Sequence, residues 1–357
     1  MSEDTPYLSI VTISRNDDHG GHLLERMQFF IDSLDDQCKR YELKTELIIV
    51  EWNPPENNKQ LHEVLQFPKN HEFLTIRIII VPGKIHATFK HSDQLPLFQM
   101  IGKNVGIRRA RGQFVLASNI DIIFSDELFE WLSKKNINPD ILYRVDRLDV
   151  ASPLSEWFHY FFSHSTVDLR EYCKRNVIRI NKKYGTFPSK KQTGIKKYYY
   201  YKLHAFNNYF LRKYFLRNAN KIPFFGFIHT NGCGDFTLMA KDLWYQFMGY
   251  PELEMFSWNI DSLLLIFAYH FGVKEIDLPL PLNIYHIEHG SGSGWTPGKG
   301  EELLIKRLEE KKIPVITWED CINISQVLDQ SGILGKSIHL NKENWGLADI
   351  ELEEKII

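Results

Sequence analysis

The first 120 residues switch repeatedly between two hydrophobic periods. Residues 7–14 (YLSIVTIS) form a β-branched run ending in polar residues, the pattern of a strand buried in a parallel sheet. Asp17, Asp18, His19, Gly20 and Gly21 supply turn chemistry. Leu23, Leu24, Met27, Phe30, Ile31 and Leu34 then recur at i, i+3 and i+4, which predicts an amphipathic helix. Residues 46–50 (ELIIV) and 74–81 (LTIRIIIV) predict two more strands, stopped by Asn53-Pro54-Pro55 and Pro82-Gly83. A helical stretch at 98–110 feeds a fourth strand at 114–117. This order implies an α/β fold with a mixed, mostly parallel sheet flanked by helices. Ligands of such sheets gather at the carboxyl ends of the strands, so the polar residues ending each run become candidates.

The middle of the chain has a different texture. No Asp or Glu occurs between Glu171 and Asp235, while fourteen Lys and Arg do, interleaved with Tyr198 to Tyr201, Phe206, Phe210 and Phe215. This marks a basic and aromatic stretch unlike the segments on either side of it. The net charge of -2, from 43 Lys+Arg and 45 Asp+Glu, conceals that asymmetry. Beyond Thr230 a compact pattern resumes, and from 299 a tail carries a charged helix (301–312), a short strand (314–317) and an acidic end. Four scattered cysteines argue against a disulfide scaffold or zinc ribbon and for a reducing compartment. The acidic, then strand-like start is unlike a signal peptide, and no apolar run nears the ~20 residues of a membrane span. A cytoplasmic protein, at most peripheral to a membrane, is the expectation.

Four stations carry candidate chemistry. Ser14, Arg15 and Asn16 end the first strand, and Glu51, Trp52 and Asn53 end the second, where an acid and a ring can hold a ribose and a base. Each can equally cap the chain. Lys103, Asn104 and Arg108 lie on a helix whose small residues at 106 and 110 permit close packing on the sheet. Asn119 and Asp121 follow the fourth strand at alternate positions, so both can face one hard cation. His286 and His289, three apart and followed by the glycine-rich stretch 290–294 and Trp295, can share a metal under a mobile lid.

Together these stations resemble a glycosyltransferase of the GT-A type. The run KNVGIRRARGQFV is similar to the stretch that precedes the D-x-D metal motif in family-2-like enzymes, with Asn119-Ile120-Asp121 at the motif's position. Gly234-Asp235-Phe236, Met248-Gly249-Tyr250-Pro251 and Trp258-Asn259-Ile260-Asp261 resemble the acceptor half of the β-1,4-galactosyltransferase-like group, and His286-Ile287-Glu288-His289 its late metal-ligand segment. The resemblance covers roughly 7–121 and 229–295. It implies a Rossmann-like GT-A domain split into a nucleotide-sugar half (1–149) and an acceptor and catalytic half (223–298), followed by an extension (299–357). The segment 150–222 has no counterpart in that pattern and is expected to be an inserted, mainly helical, basic and aromatic subdomain.

The activity so implied is transfer of a sugar from a nucleotide sugar, with UDP as the expected nucleotide, to a glycan or lipid-linked acceptor with inversion. Asp121, His286 and His289 would hold Mn²⁺ or Mg²⁺, and Asp261 would be the general base. Ser14, Arg15, Asn16, Glu51, Asn53, Asn104, Arg108 and Asn119 would meet the donor, and Gly234, Asp235 and Trp258 the substrate. Asn119 in place of the first motif Asp leaves one carboxylate ligand. Other classes are a non-catalytic scaffold, a nucleic-acid or membrane binder using the basic segment, and a sugar nucleotidyltransferase. Nucleic acid is disfavoured as a partner, whereas basic and aromatic residues near 196–217 suit an anionic membrane surface.

Overall fold

The computed structural model describes residues 5–69, 72–151, 166–183, 185–189, 199, 203, 228–289, 302–331 and 339–357. In chain order the elements are β1 (Leu8–Ser14), α1 (Leu23–Arg40), β2 (Thr45–Trp52), α2 (Leu61–Val64), β3 (Leu74–Val81), α3 (Gly83–His86) and α4 (Gln99–Arg109). They continue with β4 (Phe114–Ser118), β5 (Ile122–Phe124), α5 (Asp126–Ser133), β6 (Ile141–Val150), α6 (Thr166–Arg175), β7 (Val177–Lys182) and β8 (Gly185–Pro188). The remainder is β9 (Phe236–Ala240), α7 (Lys241–Phe247), α8 (Ile260–His270), β10 (Lys274–Ile287), α9 (Glu302–Glu310), α10 (Trp318–Ser331) and β11 (Glu353–Ile356).

One mixed sheet runs in the order β11-β3-β2-β1-β4-β9-β6-β10-β5, with β7 pairing β6 and β8. Strands β3, β2, β1 and β4 are mutually parallel. Every residue of β1 and β2 is buried, as helices covering both faces require. Helix α4 lies close on this region because Gly102 and Gly106 have no Cβ. A methyl group at either would collide with Ile13 or Val11 of β1. The α/β architecture is thus the one expected, and the strands at the amino end fall within a residue or two of their expected bounds.

Beyond β4 the sheet changes character. Strand β9 enters antiparallel to β4, while β6 and β10 are parallel to each other over most of their length. The segment expected to be a helical insertion holds helix α6, but its next described residues form the hairpin β7–β8, which extends the sheet beside β6. Its sequence VIRINK alternates β-branched with polar residues, a period-two signal masked by the charge pattern. The expected strand at 314–317 reduces to a single bridge between Phe256 and Val315. The acidic end instead supplies β11, antiparallel to β3. Buried Arg77 holds it there, donating to Glu354 at 2.7 Å and to Glu46 at 2.6 Å. Among the described residues no helix is long and apolar enough to cross a membrane. Most of the basic and aromatic stretch near 196–217, and the glycine-rich stretch with Trp295, lie outside the described residues.

Candidate metal and transfer site

Pairing register builds the centre of the site. His286 of β10 lies opposite Asp149 of β6 on one side and opposite Ile122 of β5 on the other, and Asp121 immediately precedes Ile122. One imidazole therefore stands between two carboxylates. His286 Nε2 is 3.8 Å from Asp121 Oδ2, and His286 Nδ1 is 3.4 Å from Asp149 Oδ1. His289 follows just past β10, its Nε2 3.1 Å from the same Asp121 oxygen, and the two rings meet edge to face. Gly20, in the left-handed region, lets the turn before α1 close over this spot; a Cβ there would lie 2.5 Å from His289 Nδ1.

Among the described residues, two groups of side chains could hold a divalent ion: Asp121, His286 and His289, and Asp149, His286 and Glu288, with the candidate ligand atoms of each group within 4.8 Å of one another. Their surroundings differ. Asp149 is buried between Arg147 and Arg179, each 3.0 Å away, and accepts from Asn181 at 3.0 Å. Glu288 is paired with the same Arg179. A dication there would face two guanidinium groups, so this group suits a supporting role. Asp149 can hold the Nδ1 edge of His286 and leave Nε2 turned to Asp121, as carboxylates do behind metal-ligating histidines. One carboxylate and two imidazoles make the Asp121 group a donor set that a divalent transition-metal ion could use. Burial pushes the Asp121 carboxyl up, but the hydrogen bond from His289 and the charges of His286, His289 and Arg26 outweigh it and hold it well below the usual range. Asp149 is likewise depressed, burial being outweighed by His286, Arg147 and Asn181.

The acceptor-side residues lie on the flank of this centre. Asp235 accepts from Asn119 at 2.5 Å through one oxygen and from Arg147 at 2.6 Å through the other. The structure thus brings Asn119 and Asp235 together, while Asp121 is the residue of the Asn119/Asp121 pair that meets His286 and His289. Two buried cations and the half-buried Arg147 shape the turn leading to Asp235. Arg144 donates to the carbonyls of His229, Asn231 and Cys233, and Lys103 Nζ donates to that of Gly234 at 2.6 Å, while Arg147 takes the Asp235 carboxylate. Burial pulls Lys103 down to about 8, partly offset by Asp235, Asp261, Cys233 and Asp121. Asp261 opens α8, and its Oδ2 lies 2.9 Å from where a Cβ on Gly234 would project, so only glycine leaves it room. Its Oδ1 accepts from the Ser262 backbone N–H at 2.9 Å. Trp258 packs half-buried against the main core.

The donor-side candidates are placed differently. Ser14 Oγ contacts Met27 Sδ, and Asn16 donates to the Lys59 carbonyl. Arg15 bonds Asp17 and the Asn53 carbonyl, joining the ends of β1 and β2. Glu51 is fully buried and accepts the Leu61 N–H; burial pushes its carboxyl up to about 7 against that hydrogen bond. The expected stacking ring, Trp52, is fully buried, donating to His86 and packing on Phe89 and Phe98. Asn104 clamps the backbone of Tyr250, and Arg108 donates to the Glu343 carbonyl and stacks on Trp345. These last two therefore tie the Tyr250 segment and the carboxyl-terminal segment to α4.

Arg26, Lys103, Arg147, Asp149 and Arg179 escaped the role assignments made from sequence. Their signal was present: Arg26 interrupts the apolar stripe of α1 between Leu23 and Met27, and β6 reads ILYRVDRLDV, with charges inside a strand. Charged residues at buried positions require partners: Arg147 and Arg179 take Asp149, Arg26 takes Asp121, and Lys103 takes the Gly234 carbonyl.

No family model and no curated protein matches the chain. Among solved structures it is similar to one described as the crystal structure of GalNAc-T7 with UDP, GalNAc and Mn2+, at 10% sequence identity and a TM-score of 0.43. The match covers 93% of this chain and 56% of that one, so the chain spans little more than half of that structure's length.

Proposed function

We propose that the protein is a divalent-metal-dependent glycosyltransferase of the GT-A type, transferring a sugar from a nucleotide sugar to a glycan or lipid-linked acceptor with inversion. The observation that carries this reading is the meeting of Asp121 with His286 and His289, from distant parts of the chain, at the edge of an α/β sheet. Asp121, His286 and His289 would hold the ion, with Asp149 behind His286. When bound, it would supply Lewis-acid neutralisation of a leaving nucleoside diphosphate. UDP is the nucleotide proposed, from the sequence resemblance.

The chain's own residues supply the rest. Asp261 is proposed as the general base. Both oxygens of Asp235 are engaged by charged or amide donors, which suits it to positioning. Asp261 has one oxygen on its own helix N-terminus and the other at the open face left by Gly234. Lys103, buried near both acids, keeps the Gly234 turn in place through its bond to the Gly234 carbonyl. The two halves of the sheet then hold donor and acceptor on opposite sides of the Asp121 centre. Peripheral binding to an anionic membrane through residues near 196–217 remains part of the proposal and is tested by vesicle co-sedimentation at low and high salt.

Hydrolysis or transfer of a UDP-sugar panel should require added Mn²⁺ or Mg²⁺, and Asp121→Ala should abolish it while the far-ultraviolet dichroism stays native. Full turnover in EDTA would end the metal-dependent reading.

A further inference from the structure

The most unusual neighbour of the proposed metal ligands is a cation belonging to the protein itself. Arg26 is 2% exposed, and its Nη1 donates to Asp121 Oδ2 at 2.8 Å. That oxygen is the one both histidines approach. The guanidinium is not a loose surface group that has swung in. Its Nη2 donates to the His19 carbonyl at 2.5 Å and its Nε to the Gly21 carbonyl at 3.2 Å. Gly20, between them, has no Cβ where one would come within 3.1 Å of Arg26 Nη2 and 2.5 Å of His289 Nδ1. The same turn thus seats both the arginine and one histidine.

Within the Asp121, His286 and His289 group the charge is then balanced without any ion. Asp121 contributes one negative charge, Arg26 cancels it, and the imidazoles are neutral when they act as ligands. Asn119, where a second carboxylate would sit, adds none. A dication entering this group must share its only carboxylate with a fixed guanidinium and accept that repulsion at close range in a poorly hydrated place. A nucleoside diphosphate would bring the missing negative charge.

We propose that Arg26 is the resident cation of the Asp121 centre and makes divalent-ion binding conditional on the diphosphate. The inference rests on the metal-site reading above. Binding of the two ligands is then coupled, and each raises the affinity for the other by the same factor.

Mn²⁺ binding, followed by electron paramagnetic resonance and calorimetry with and without UDP, tests this on the full chain. The wild type should bind Mn²⁺ weakly alone and at least about tenfold more tightly with UDP. Arg26→Met should bind Mn²⁺ alone about tenfold more tightly than the wild type, and its gain from UDP should shrink. Arg26→Lys, which keeps the charge, should behave as the wild type. If Arg26→Met does not fold, Arg26→Gln, whose amide can still donate to the His19 carbonyl, replaces it in the same comparison. A neutral variant that binds Mn²⁺ no better than the wild type, in a site that Asp121→Asn empties, overturns the role of Arg26 and leaves the metal site standing. Mn²⁺ binding unaffected by Asp121→Asn would instead remove the metal-site reading itself.

Discussion

The two halves of the sheet use buried charge in opposite ways. Around β1, β2 and β3, ionisable side chains close on one another or on backbone. Glu46 takes Arg77, Ser9 and the Arg111 N–H, while Arg109 feeds the carbonyls of Gly346, Leu347 and Ile350. Around β5, β6 and β10 they converge from several segments on Asp121, Asp149 and Asp235, and the two histidines stay partly open to solvent. A charge sealed inside a lattice of internal partners braces the fold. Charges from separate segments gathered at a place a ligand can still reach are arranged for chemistry.

The comparison breaks most decisively at Asp261. Asp261→Asn keeps the shape and removes the proton acceptor, so turnover should fall by about 10²–10⁴-fold with donor affinity kept. Near-normal turnover would move the base elsewhere, and Asp235→Asn is the next variant to measure.

Glu46→Gln tests the bracing half. It leaves Arg77 with one carboxylate fewer in a buried site and should cost about 3–5 kcal/mol of stability in urea unfolding, with kcat unchanged below the melting transition. A loss of kcat without a loss of stability would blur the distinction between the halves.

Asp149→Asn addresses support of the centre. It should weaken Mn²⁺ binding by about 10–100-fold, the usual cost of losing a carboxylate behind a histidine ligand. An unchanged affinity would make Asp149 a purely structural partner of Arg147 and Arg179.

The smallest effect is a slope. Lys103 falls from 10.5 in the unfolded chain to about 8 when folded. Between these values the unfolded chain binds the extra proton, so stability attributable to Lys103 rises with pH across that window. The burial penalty is complete below about 8 and is relieved towards 10.5. Lys103→Met should flatten the stability profile over that range relative to the wild type. Parallel profiles would show that Lys103 keeps an ordinary affinity for its proton.

Local pattern determined much of this protein. The β-branched runs at 7–14, 46–50 and 74–81 and the glycines of α4 specify a parallel α/β region, because a strand covered on both faces must be apolar throughout. Asp121 at a strand end and the His286/His289 pair were each legible as local features, and the resemblance to GT-A enzymes joined them into one expected group. Tertiary structure alone decided which charges meet. Asn104 and Arg108 resemble donor ligands in the sequence, yet β11 and the residues before it, more than two hundred positions away, draw Arg108 and its neighbour Arg109 into structural contacts. Asp149 gains its place behind His286 only through the parallel register of β6 and β10. Arg26 meets Asp121 across 95 residues. Electrostatic partnership depends on distance in space, and no local periodicity encodes that distance.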